Sequence, residues 1–176
     1  DIPINNAYPL FDDNLPQREF SLEKAAEHYK LSGHDGSPIE LLVSDTAFAG
    51  AVDAAQLFQQ TANAAGIPLQ VKRVPADGYW SEVWNHKPFC ASYWGGRPVQ
   101  DQMWSTAYLS SADWNDTRFK NARFDELLLQ ARQELDRNKR KALYAEMAEI
   151  VWEEGGLINL VFFQRIDGYS SKIAGE

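Results

Sequence analysis

The stretch PIELLVSDTAFAGAVDAAQLFQQTANAAGIPLQVKRV, residues 38–74, changes its hydrophobic period twice, and those changes decide the fold class. It opens on an apolar run around residues 39–44 that is short enough for a buried strand. Phe48, Val52, Ala55, Phe58, Ala62 and Ala65 then recur at steps of three and four and stop at Gly66, the pattern of one buried helical face closed by a glycine. PLQVKRV alternates, with Leu69, Val71 and Arg73 on one side, as a half-buried strand does. Strand, helix and strand in that order form the repeating unit of a parallel sheet.

Working outward, SLEKAAEHYKLSG has a capping Ser21, an early Glu23 and a terminal Gly33, which mark a short helix before the first strand. Downstream, Asp77 is expected to cap a short helix in GYWSEVWNHK, and Phe89 to Tyr93 are expected to form a third strand. Phe124, Leu127, Leu128, Ala131 and Leu135 make one helical stripe, and Leu143, Met147, Ile150 and Val151 make the next. Gly155 and Gly156 close that helix, and LINLVFF, residues 157–163, is expected as a last strand. The order predicts an α/β layer fold, a largely parallel sheet with flanking helices, built as a single unit over residues 1–176.

Composition narrows the function. At 176 residues and 44% hydrophobic, the chain can bury a core as one domain. Its net charge of −8 opposes phosphate binding, which needs a basic surface, so nucleic acid is not an expected partner. The longest apolar runs are far short of the roughly 20 residues that cross a bilayer. A lone Cys90 forbids an internal disulfide. His28, His34 and His86 show no ligand spacing, so neither a metal nor a cofactor is implied. The opening DIPINNAYPLFDDNLPQ is irregular and proline-bearing, and reads as the middle of a longer protein.

The candidate ligand site lies in FCASYWGGRPVQDQMW, residues 89–104. Ligands of open α/β sheets gather at the carboxyl ends of strands, and Tyr93, Trp94, Gly95, Gly96 and Arg97 fall there. The two glycines bare the backbone, the aromatics offer flat apolar faces, and Arg97 offers a fixed cationic fork, unless it pairs with Asp101 or Asp113. Ser44 and Asp45 end the first strand at the same edge, where they can contact a ligand or cap the following helix. Trp80, Trp84, Trp104 and Trp114 invite a carbohydrate platform or, equally, packing against the sheet. A small hydrolase or transferase would have to use Asp45, His86 or Cys90, but the chain has no G-x-S-x-G elbow, phosphate loop or dinucleotide fingerprint. Asn115-Asp116-Thr117 matches a glycosylation sequon, a weak three-residue pattern.

Four segments together resemble one family. REFSLEKAAEHYKLSGHDG, AAQLFQQTANAAGIPLQVKRVPADGYW, FCASYWGG and FDELLLQARQELDRNKRKALYAEMAEIVWEEGGLINLVFF are similar, in order and spacing, to the C-terminal lobe of an extracytoplasmic solute-binding protein. The class is the oligopeptide, dipeptide and nickel one, bacterial extracellular solute-binding protein family 5. The resemblance implies one lobe of a type II periplasmic-binding-protein-like fold, without catalysis, in a protein roughly three times as long. It further implies a small-molecule ligand, a peptide or acidic conjugate, enclosed against a missing N-terminal lobe and passed to ABC permease subunits from a periplasmic or extracytoplasmic location. Peptide-binding relatives place an aspartate just after this strand. Here Gly96 and Arg97 stand in its place and the nearest acid is Asp101, which points to an acidic group rather than a free amine.

Overall fold

The structure is a computed structural model that describes residues 1–164, 168–170 and 172. The chain follows α1 (Leu22–Leu31), β1 (Ile39–Val43), α2 (Ala51–Ala64), β2 (Leu69–Arg73), a π-helical turn (Tyr79–Val83), α3 (Gln100–Ala107), α4 (Ala122–Gln133) and α5 (Arg137–Glu154). It is the expected mixture of a small parallel sheet and flanking helices.

β1 and β2 pair in parallel from Ile39 opposite Leu69 to Val43 opposite Arg73. Leu41 and Val43 alternate onto one face, and α2 covers them with Ala51, Val52, Ala55 and Ala62. The small alanines let the helix backbone approach the sheet, while Leu69, Tyr79 and Val83 complete this first core. Gly66 ends α2 at φ 79°: its N–H donates to Asn63 O, and the Ile67 N–H donates to Ala62 O, both at 3.0 Å. Those paired bonds are a Schellman closure, in which a left-handed glycine satisfies the last carbonyls.

A second core is helical. Met103 and Trp104 of α3, Phe124, Leu127, Leu128 and Ala131 of α4, and Tyr144, Met147 and Val151 of α5 are all buried in it. The Asn121 carboxamide caps α4 by accepting the Phe124 N–H, and Asp136 caps α5 by accepting from Asn138 and Lys139. The irregular N-terminal lead belongs here: Ile4 is buried in this core, and Gln100 Nε2 donates to Pro9 O at 2.8 Å.

Three sequence expectations are corrected, and one helix is added. The third strand at 89–93 shrinks to a single parallel bridge, Leu42 to Cys90, with Leu42 N–H on Phe89 O and Ala91 N–H on Leu42 O. It stops because the next acceptors are used locally: Ala91 O takes the Tyr79 hydroxyl at 2.6 Å, and Ser44 O takes the Ala47 N–H at 2.9 Å. LINLVFF is unpaired chain, and Ile158, Leu160, Val161 and Phe163 are at least half exposed, because no strand among the described residues lies beside it. The helix expected after Asp77 is the π-helical turn, entered at a left-handed Gly78 with no side-chain cap. Finally, α3 follows directly from the loop and was not anticipated, since Pro98 and the polar Gln100 to Gln102 hid its period.

Replacing the fully buried Leu127 by alanine is expected to cost about 2–5 kcal/mol in urea unfolding, and the same change at exposed Leu129 within about 0.5 kcal/mol.

Candidate ligand-binding site

The chain leaves the sheet at Cys90 and enters α3 at Gln100, so Tyr93 to Arg97 bridge the two cores. Trp94 packs against the helical core, whereas Tyr93 is 58% exposed and meets the edge of Trp80, ring centroids 5.7 Å apart. The pair therefore points in different directions, as neighbours on extended chain do. Neither Gly95 nor Gly96 has a positive φ, so no left-handed turn requires them. A Cβ on Gly96 would meet nothing within 4 Å, and one on Gly95 only the Arg97 Nη1 at 3.5 Å. The backbone there is bare and open.

Arg97 makes no ion pair among the described residues. Its Nη1 donates to Gly95 O at 2.9 Å, its guanidinium lies 6.0 Å from the Trp94 ring centroid, and its backbone N–H donates to the Tyr8 hydroxyl at 2.9 Å. Asp101 is not its partner. That carboxylate sits in the first turn of α3 and accepts two bonds from Arg132, Nε at 2.7 Å and Nη2 at 3.1 Å.

At the end of β1, Ser44 is buried and accepts the Thr46 N–H, a turn bond. Asp45 accepts the Val52 N–H in the first turn of α2 through Oδ1 and faces Arg73 through Oδ2 at 3.2 Å. Both groups serve local structure in this conformation.

The tryptophans divide. Trp104 is buried in the helical core and takes no part in a platform. Trp84, Trp94 and Trp114 form a triad with centroids 6.0–6.4 Å apart, and Trp80 continues it from Trp84 at 6.0 Å. At its centre is Asp116, whose Oδ2 accepts the Trp84 indole N–H at 2.8 Å and the Trp94 indole N–H at 3.3 Å. Burial raises the Asp116 carboxyl above the ordinary carboxylate range, and the two indole bonds oppose that shift. The sequence reading met Asp116 only inside the sequon; its one available signal was its place two residues after Trp114. The sequon's Asn115 is buried, donates to Phe119 O at 2.6 Å and accepts the Phe119 N–H at 3.1 Å, so its amide is a loop staple.

Cys90 has the wrong setting for a nucleophile. Burial, with the Asp116 charge adding to it, pushes the thiol up, and no hydrogen bond joins it to His86 or Asp45 among the described residues. Nor do the described residues gather three metal-ligating side chains, and no described helix is long and apolar enough to cross a membrane.

Neither a protein-family model nor a curated protein matches the sequence. Solved structures do. HbpA2 from Haemophilus parasuis superimposes with a TM-score of 0.76 at 22% identity, over 88% of this chain and 32% of that one. The ABC transporter-associated periplasmic binding protein DppA from Helicobacter pylori, in complex with the peptide STSA, gives a TM-score of 0.75 at 20% identity, over 88% and 31%. This chain shares the fold of about a third of each of those two structures. NikZ from Campylobacter jejuni, in complex with Ni(L-His), has the same fold at a TM-score of 0.71 and 16% identity, over 84% and 33%. The chain thus spans about a third of the length of the substrate-binding proteins that it matches.

Asp116 yields a pH-dependent prediction. Its folded-state pKa is raised from 3.8, so the folded form holds its proton more tightly than the unfolded chain. The stability from that proton is fully present below pH 3.8 and is lost as pH rises through the folded value. Asp116→Asn keeps an acceptor for both indoles and removes the charge, so at pH 7 it should equal or exceed the parent in stability. Its advantage should shrink as pH falls toward 3.8. Asp116→Ala leaves both indoles unpaired and should be about 1–3 kcal/mol less stable than Asp116→Asn at any pH, its deficit against the parent growing as pH falls; chemical denaturation across pH reads all three.

Proposed function

We propose that residues 1–176 form one ligand-closing lobe of a longer substrate-binding protein, which captures a small solute outside the cytoplasm and delivers it to ABC permease subunits. The observation that carries this reading is the fold shared with DppA and NikZ, combined with the bare Gly95–Gly96 backbone and an Arg97 without an ion pair among the described residues, where the chain leaves the sheet. The half-exposed apolar run at Ile158 to Phe163 supports it too, as surface of the kind that a further lobe of the same protein would cover.

On this reading the solute lies against Tyr93, Trp94, Gly95, Gly96 and Arg97, with Ser44 and Asp45 at the neighbouring strand end. Asp101 is already paired with Arg132. A free amine would find no carboxylate at Gly96 or Arg97, while an acidic group would find the Arg97 donors that Gly95 O leaves free. The preferred solute is therefore an acidic conjugate, with its apolar part on Trp94 or Tyr93.

A titration panel of acidic and cationic solutes against the intact receptor tests this. An acidic solute should bind best, and Arg97→Ala should cost about 2–5 kcal/mol, most of it from the ligand charge left unpaired. A cationic winner, or an Arg97→Ala variant that binds as tightly as the parent, would overturn the assignment. Loss of hydrolytic activity on Cys90→Ala would overturn the noncatalytic reading.

A further inference from the structure

The loop between the sheet and α3 holds donors that the fold does not use. No backbone N–H from Ser92 to Gly96 donates to a protein acceptor among the described residues. Arg97 spends one Nη1 donor on Gly95 O and makes no ion pair among those residues. The Arg97 N–H is the exception, and its acceptor is distant in sequence: the Tyr8 hydroxyl, at 2.9 Å.

Tyr8 reaches the loop because the N-terminal lead is pinned to the start of α3. The Tyr8 N–H donates to Asn5 O at 3.1 Å, its ring packs on the helical core, and Pro9 O accepts from the buried Gln100. Leu10 follows at φ 63°, a left-handed conformation that costs energy for a bulky residue and persists where the surrounding structure over-determines it. The phenol is therefore held in place by contacts on either side of it. Its oxygen takes the Arg97 N–H, while its own proton has no acceptor among the described residues. Accepting one hydrogen bond polarises a hydroxyl and makes it a better donor.

We propose that Tyr8 is a specificity-determining residue of this site, its hydroxyl donating to the acidic group of the solute beside the Arg97 guanidinium. The inference rests on the reading of the loop as an acid-binding site, and it adds a residue from outside the loop. The two side chains that meet there, Tyr8 and Arg97, both offer donors, and Asp101, the acid nearest in sequence, is paired with Arg132. A carboxylate is acceptor-only and has two oxygens to share between a phenol and a guanidinium. A carboxamide turns an NH2 toward one of those donors, and an ammonium has donors alone.

The test is calorimetric titration of the intact receptor with N-benzoylglycine, N-acetylglutamate and gluconate, each beside its carboxamide. In the parent an acid should bind more tightly than its amide. Tyr8→Phe, which keeps the ring on the helical core, should weaken the best acid by about tenfold or more and its amide by less, so the preference for the acid shrinks. In an Arg97→Ala background the same change should cost less than in the parent, because both donors hold one group. Full acid affinity in Tyr8→Phe overturns the Tyr8 assignment. So does an equal loss for acid and amide, which is what a residue that only braces the Arg97 backbone produces. In either case, loss of the acid in Arg97→Ala leaves the loop reading standing. An amide that binds the parent as tightly as its acid, or no acid binding at all, overturns both.

Discussion

Two indole N–H groups converging on one carboxylate oxygen hold this molecule's halves in register. Trp84 follows the turn that carries Tyr79 and Val83 of the sheet core, whereas Trp94 packs on the helical core, and Asp116 accepts from both. The carboxylate is costly where it sits, because burial disfavours its charge. Its retention follows from geometry: a single acceptor reaching two donors from different cores fixes their separation, which apolar packing, being non-directional, does not. The loop from Tyr93 to Arg97 inherits its position from that fixed point. Tyr8 adds a second tie by accepting the Arg97 N–H.

The sheet is narrow for an α/β layer, two paired strands and one bridge. Its central strand has its hydrogen bonds on both sides only around Leu42, and the helix α2 shields one face alone. Stability must therefore come substantially from the helical core, where four aromatic rings, Trp104, Tyr108, Phe119 and Phe124, pack edge to face or tilted at centroid distances of 5.3–6.4 Å. A dense helical block holds one end of the loop, and a thinner sheet edge leaves the other end open.

What the sequence made legible was set by periodicity. α2, α4 and α5 have long stripes and form where expected, although Leu135 of the α4 stripe falls past the helix end and is exposed, and β1 and β2 alternate or run apolar between clear stops. The third and last strands were misread because apolar composition marks burial or strand tendency but says nothing of partners, and pairing was decided by carbonyls already committed to Tyr79 and Ala47. The loop position of Gly95 to Arg97 was readable from the strand-to-turn transition. The Asp116 tie was not, because it joins residues 84, 94 and 116, and no local pattern encodes a contact made only after both cores have packed. The Asp101–Arg132 pair was hidden for the same reason, since Arg132 comes from another helix.

The electrostatics of the loop differ from those of the whole chain, and the difference constrains how an acidic solute would bind. At −8 the far field of this chain repels anions, but salt screens that field beyond about 8 Å at physiological ionic strength. Arg97 acts inside that distance, next to an aromatic face and bare amides, with its nearest candidate acids already engaged or absent from its contacts. Attraction is thus short-ranged and repulsion long-ranged. On the proposed reading such a site gains little from steering by this lobe, and affinity for an acidic solute would reside in slow dissociation, through contacts made once the solute lies against Trp94 and the Arg97 fork.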